Sequence, residues 1–179
     1  MTSEPIPSPS SGVSSAHNVL LIVDAESVLK HYPNPSLDAA APTSITDGFI
    51  FFATGNNPKE IVINDSSITI QVETGCDLHV RGRSVSLIAE HSVVVYRMTV
   101  ADSGVLSEPN LQIHTNLTVP APNPDDPTTL GSRKADDHYW TCTPKKPGDV
   151  QCELSFMLVN QQCEVVGYFH WTVDVELEV

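Results

Sequence analysis

The sequence predicts an all-β fold: a single-domain antiparallel β-sandwich, jelly-roll or Greek-key like, with at most one short helix. Three observations predict it. First, the last thirteen residues alternate without a break. Gly167, Phe169, Trp171, Val173, Val175, Leu177 and Val179 take one side, and Tyr168, His170, Thr172, Asp174, Glu176 and Glu178 the other. Period two marks a strand with one dry and one wet face. Second, several other segments repeat the pattern. Third, the prolines avoid 59–108 and, past 147, the last two alternating stretches, and gather in the N-terminal tail, in 33–42 and in 120–127. Proline cannot donate to a ladder, so those stretches are edges or loops.

In chain order, residues 1–17 are rich in Ser and Pro and carry no Lys or Arg. They read as a disordered tail, too poor in apolar groups to order itself; the sandwich is assigned to 18–179. Residues 19–23 form a continuous apolar run, expected of a strand covered on both faces. Asp24 then caps a helical turn over 25–31, which Pro33 stops. Residues 49–54 are the next strand. Ile61 and Ile63, then Ile68, Ile70 and Val72, predict two more around a turn at 64–66. Leu78 and Val80 face one way while Asp77, His79, Arg81 and Arg83 face the other, a solvated strand face rather than a catalytic cluster. Residues 92–101 and 111–119 are further strands, the latter with Leu111, Ile113, Leu117 and Val119 on one side. Residues 139–143 and 150–160 predict a hairpin, and 160–164 turns the chain into the final strand. The total is about eight to ten strands. The segment 120–137 reads as a long loop, a length usually functional or mobile.

At 179 residues the chain supports one domain with a real core. Nine Lys and Arg against 22 Asp and Glu give a net charge of −13. Such a field repels phosphate polymers and anionic membranes, which argues against nucleic acid as a partner. The longest apolar run, 19–23, is far too short to insert in a bilayer. The N-terminal stretch has neither a basic n-region nor an apolar h-region, so a cytoplasmic location is expected. Cys76, Cys142, Cys152 and Cys163 should then be thiols. They have no CxxC spacing, which leaves a zinc site without support. Cys142 and Cys152 flank the turn-like 144–149 and are the one pair placed to meet across a hairpin.

No GxSxG, HExxH, P-loop or GxGxxG is present, so no reaction is announced. Asp24 with Glu26 is read as a helix cap plus a first-turn acid, which meets the helix dipole. Asp125, Asp126, Asp136 and Asp137 lie in the Pro-rich segment and are the candidate metal ligands. Calcium takes several such oxygens from a flexible loop, although the spacing is not that of an EF-hand. Tyr139, Tyr168 and His170 are the candidate ligand-binding residues, a stacking platform for a sugar. Trp171 falls on the apolar face with Phe169 and belongs to the core.

Further resemblance lies in the run 19–36, VLLIVDAESVLKHYPNPS, and in the ordered motifs that follow it. Pro122-Asn123-Pro124 leads to His138-Tyr139-Trp140, then Leu154-Ser155-Phe156-Met157-Leu158, and finally Gly167-Tyr168-Phe169-His170-Trp171. Together these resemble the PixA/AidA inclusion-body protein family over nearly everything after the tail. The resemblance implies a compact β-sandwich with no catalytic motif, in bacterial proteins made in quantity. In some of them it goes with cytoplasmic inclusions, quorum-sensing control and interaction with invertebrate hosts. The chain departs from the methionine-rich inclusion formers in having three Met. The function expected is thus self-association: a non-catalytic homo-oligomer, with a host glycan or protein as the further partner and no cofactor. The alternative is a lectin-like or calcium-dependent ligand-binding module.

Overall fold

A computed structural model describes residues 16–54, 61–64, 67–71, 76–86, 90–126 and 128–178. Strand β1 (Ala16–Val23) buries His17, Val19, Leu21 and Val23 while Leu20 and Ile22 stay half-covered. Ala16 and His17, assigned to the tail from sequence, therefore belong to the first strand; the rest of the tail lies outside the described residues. Helix α1 (Ala25–His31) starts where Asp24 Oδ1 accepts from the Ser27 N–H at 3.1 Å. Glu26 in its first turn and Lys30 and His31 in its last complement the helix dipole.

The chain continues through β2 (Thr43–Ser44), a 3-10 turn at Asp47–Phe49, β3 (Ile50–Thr54), β4 (Ile61–Asn64) and β5 (Ser67–Gln71). Then come β6 (Asp77–Ser84), β7 (His91–Val100), β8 (Asn110–Pro122), β9 (Leu130–Cys142), β10 (Gly148–Asn160) and β11 (Val165–Glu178). Val72 and the turn expected around Asp65 fall outside the described residues.

Two sheets face each other. One has the order β3-β1-β6-β9-β8; the other runs β4-β5-β11-β10-β7, with β2 added along β11. Both are mixed rather than antiparallel, which corrects the sequence expectation. Strand β1 runs parallel to β6, and β11 runs parallel to both β2 and β5. Alternation fixes which face a strand buries, but it leaves partner and direction open. The hairpin expected between 139–143 and 150–160 is also not formed. Strand β9 lies in the first sheet and β10 in the second, so the link between them changes sheets. Lys145 N–H donating to the Val105 carbonyl at 2.8 Å holds that crossing.

The core forms from the inward rows of both sheets. Strand β11 supplies Phe169, Trp171, Val173, Val175 and Leu177, and β10 supplies Leu154, Phe156 and Leu158. Phe156 stacks on Phe169 with centroids 5.6 Å apart, and Phe52 meets Trp171 at 5.2 Å. Gly167 is a glycine for a steric reason. A Cβ there would lie 2.7 Å from both Phe169 Cε2 and Pro35 Cγ.

Cys142 and Cys152 enter this core from opposite sheets, and none of the four cysteines is in a disulfide. Burial pushes both thiols up to about 12, so neither forms a thiolate near neutral pH. Cys76 is buried as well, while Cys163 is exposed. Ellman's reagent should therefore count one thiol in the native protein and four after denaturation. A native count above one would mean that the core opens to the reagent.

Candidate functional site

The most distinctive feature of the surface is an arm. Strands β8 and β9 pair with each other from Asn110–Thr141 out to Pro122–Leu130. Strand β6 pairs with β9 only at Leu78–Cys142, His79–Thr141 and Val80–Trp140. Beyond that point β6 stays with β1 as far as Ser84, and β9 leaves with β8. The departing ribbon is roughly 30 Å long at 3.4 Å per residue. Its outer edge is β8, which ends the sheet order.

The stretch 120–137, expected to be a loop, is therefore mostly strand, with a short tip at 123–129. Asn123 and Asp126 hold that tip. The Asp125 N–H donates to Asn123 Oδ1 at 3.0 Å, and the Thr128 N–H to Asp126 Oδ1 at 3.0 Å. Pro120 and Pro122 concealed the strand in the sequence, yet an edge strand tolerates them.

A bulge divides the arm. Between the His114–Asp137 and Leu117–Ala135 pairs, two residues of β8, Thr115 and Asn116, are set against one of β9, Asp136, and Asn116 takes φ 59°. The Asp136 carboxylate closes the bulge by accepting from the Asn116 N–H at 2.7 Å. One extra residue inverts the parity of everything after it. Leu117 and Val119 consequently lie on the face opposite Leu111 and Ile113, not on the same one as the sequence pattern suggested. The arm leaves Ile113 63% and Leu130 75% exposed, with Leu111 and Leu117 at 37% and 38%.

At the base of the arm, the outer face of the first sheet carries a polar and aromatic cluster. His79, Arg81 and Arg83 come from β6, His114 from β8, and Asp137 and Tyr139 from β9. Arg83 Nη2 donates to Asp137 Oδ1 at 2.8 Å, and Arg81 Nε lies 3.9 Å from Asp137 Oδ2. Burial pushes the Asp137 carboxyl up, but the hydrogen bond and charge of Arg83 outweigh it, leaving it below its ordinary value. His79 is also lowered, first by burial and then by the Arg81 charge.

The candidate ligand-binding residues do not share a site. The Tyr139 ring is engaged by His79 at 4.4 Å, His114 at 5.6 Å and the Arg81 guanidinium at 5.0 Å. Tyr168 and His170 lie on β11 in the other sheet. There Tyr168 packs on Tyr96 at 5.5 Å and its N–H donates to Ser36, while the His170 carbonyl accepts from Ile45.

The four candidate metal ligands are separated too. Asp125 and Asp126 occupy the tip, whereas Asp136 and Asp137 sit at the bulge, roughly 20 Å back along β9. Among the described residues, no three His, Cys, Asp or Glu side chains gather as a metal centre would require. No helix among the described residues is long and apolar enough to cross a membrane.

The family model for PixA, an inclusion body protein, matches residues 15–177. The chain belongs to the PixA inclusion body protein family. Its fold is similar to the crystal structure of the PixA inclusion body protein from Burkholderia cenocepacia J2315. The TM-score is 0.76 at 18% identity, over 94% of this chain and 99% of that one. At that identity the likeness is one of fold. No curated protein matches the chain. The motifs that carry the PixA resemblance are chiefly structural here: Phe156, Leu158, Phe169 and Trp171 are buried, and Gly167 admits the Pro35 contact.

Proposed function

We propose that the chain is a non-catalytic, self-assembling β-sandwich protein of the inclusion-body type, made as a bacterial accessory or host-interaction protein. It assembles through the β8–β9 arm. The observation that supports this reading is the outer edge of β8, which no strand among the described residues pairs, together with the exposed Leu111 and Ile113 on that strand. Unpaired N–H and C=O groups on an edge template another strand unless proline, charge or a bulge blunts them. Pro120 and Pro122 blunt the far end here, and the bulge interrupts the middle. Over 110–115 the edge carries no proline, carboxylate, Lys or Arg. Two copies pairing antiparallel along this stretch make an isologous contact about a twofold axis. The charge of −13 opposes indiscriminate association, so the contact depends on geometry. No cofactor enters this reading, and accumulation in cytoplasmic inclusions is part of it.

An Ile113→Asp substitution tests it by sedimentation velocity. The wild-type chain should sediment as an oligomer. The variant should dissociate, its dissociation constant raised on the order of a hundredfold by the lost burial and the facing carboxylates. Sedimentation of the variant identical to wild type would remove the arm from the interface. The alternative, a lectin-like or calcium-dependent module for a host glycan or protein, has less in its favour. It needs a free Tyr139 ring face and converging loop acids.

A further inference from the structure

We infer that the cleft behind the arm binds an organic anion, an acidic group carried on an apolar or aromatic body. The cleft opens where β6 and β9 separate after the Val80–Trp140 pair. The end of β6 forms one wall with Arg83, the arm forms the other, and His91 to Val93 of the second sheet form the floor. Its volume is about 520 Å³, within the range that encloses a small organic ligand.

The hydrogen-bonding inventory of the cleft has spare donors. Its acids are already engaged: Asp137 Oδ1 accepts from Arg83 at 2.8 Å and Asp136 Oδ1 from the Asn116 N–H at 2.7 Å. The Arg133 side chain on the arm wall makes no hydrogen bond or ion pair among the described residues. His91 Nδ1, on the cleft floor, is buried without a hydrogen-bond partner among the described residues. Buried polar nitrogens are rarely left unpaired, and His91 Nδ1, in the tautomer or charge state that carries its proton, is a donor for an acidic group. A guanidinium meets a carboxylate, sulfonate or phosphate through two parallel N–H bonds.

The apolar half of the site comes from the bulge. By inverting the parity of β8 it turns Leu117 and Val119 onto the cleft wall beside Arg133 and Ala135. A ligand with both an acidic head and an apolar body satisfies both halves of this lining. Neither an inorganic anion nor a neutral hydrocarbon does so.

The test uses two dyes with the full chain, by fluorescence titration. One is 8-anilinonaphthalene-1-sulfonate; the other is N-phenyl-1-naphthylamine, the same ring system without the sulfonate. The sulfonate should bind at a single saturable site, and the neutral dye about tenfold more weakly. Arg133→Gln and His91→Phe should each weaken the sulfonate about tenfold, with circular dichroism confirming the fold. Lys134→Gln removes the same charge from the same strand outside the cleft lining and should leave binding unchanged. Ile113→Asp, which addresses assembly, should also leave it unchanged, so this inference and the assembly reading fail separately. Equal affinity for the two dyes, or wild-type affinity in both cleft variants, would overturn the proposal.

Discussion

Trp171→Ala will destabilise the domain by about 3–5 kcal/mol, the cost of emptying a large buried aromatic site. Domains of this size hold about 5–15 kcal/mol in total, so a substantial part of the stability depends on one side chain. Trp171 is 1% exposed and sits midway along β11, opposite Leu154 on β10 and against Phe52 of the other sheet. The indole thus spans the sandwich, and both sheets lose contacts when it goes. Strands do not relax sideways into such a void, because their ladders fix the spacing. Urea denaturation reads the effect as a lower midpoint at unchanged slope. A loss under about 1 kcal/mol would show that Trp171 is not central to the packing.

Gly82→Val will destabilise by overpacking, about 1–3 kcal/mol. Gly82 is buried on the inward row of β6, facing Val93 and Val95 of β7 in the other sheet. A Cβ there would lie 2.7 Å from Val95 Cγ2 and 3.1 Å from Val93 Cγ1. Both contacts are short, β-branched and buried, with no flexible end to move aside. The valine must therefore push β6 from β7, just where β6 and β9 already part. Denaturation of the variant at the wild-type midpoint would mean that the sheets separate there without cost.

Where one face is buried and the other wet, the sequence could be read directly. Strand β11 was plain from its alternation, and α1 from Asp24, its first-turn acid and the stop at Pro33. Partner choice was not readable. Nothing in 19–23 says that β1 runs parallel to β6, because the same alternation serves either direction. The arm was hidden for another reason. Neither face of its outer half is covered, so burial imposes no pattern there, and the prolines of an edge strand look like those of a loop. The bulge at Asn116 then inverted the parity that placed Leu111, Ile113, Leu117 and Val119 together.

The site residues were missed through the same gaps. Asp136 and Asp137 read as loop acids, yet one closes a bulge and the other pairs with Arg83. Arg81 and Arg83 read as a solvated face, which describes each alone. The place of Arg83 in one cleft with Arg133 and His91 depends on a divergence of strands that no local pattern encodes. A local sign did exist: two of only nine basic residues stand two positions apart on one strand face of a strongly acidic chain.

The most direct test of assembly through the arm is absolute mass by light scattering after size exclusion, in calcium and in excess chelator. The account predicts a stable multiple of 19.4 kDa, the same in both conditions. A single-chain mass at every concentration would contradict it. An oligomer that dissociates on chelation would instead make a bound cation part of the interface, with Asp125, Asp126, Asp136 and Asp137 the first residues to replace.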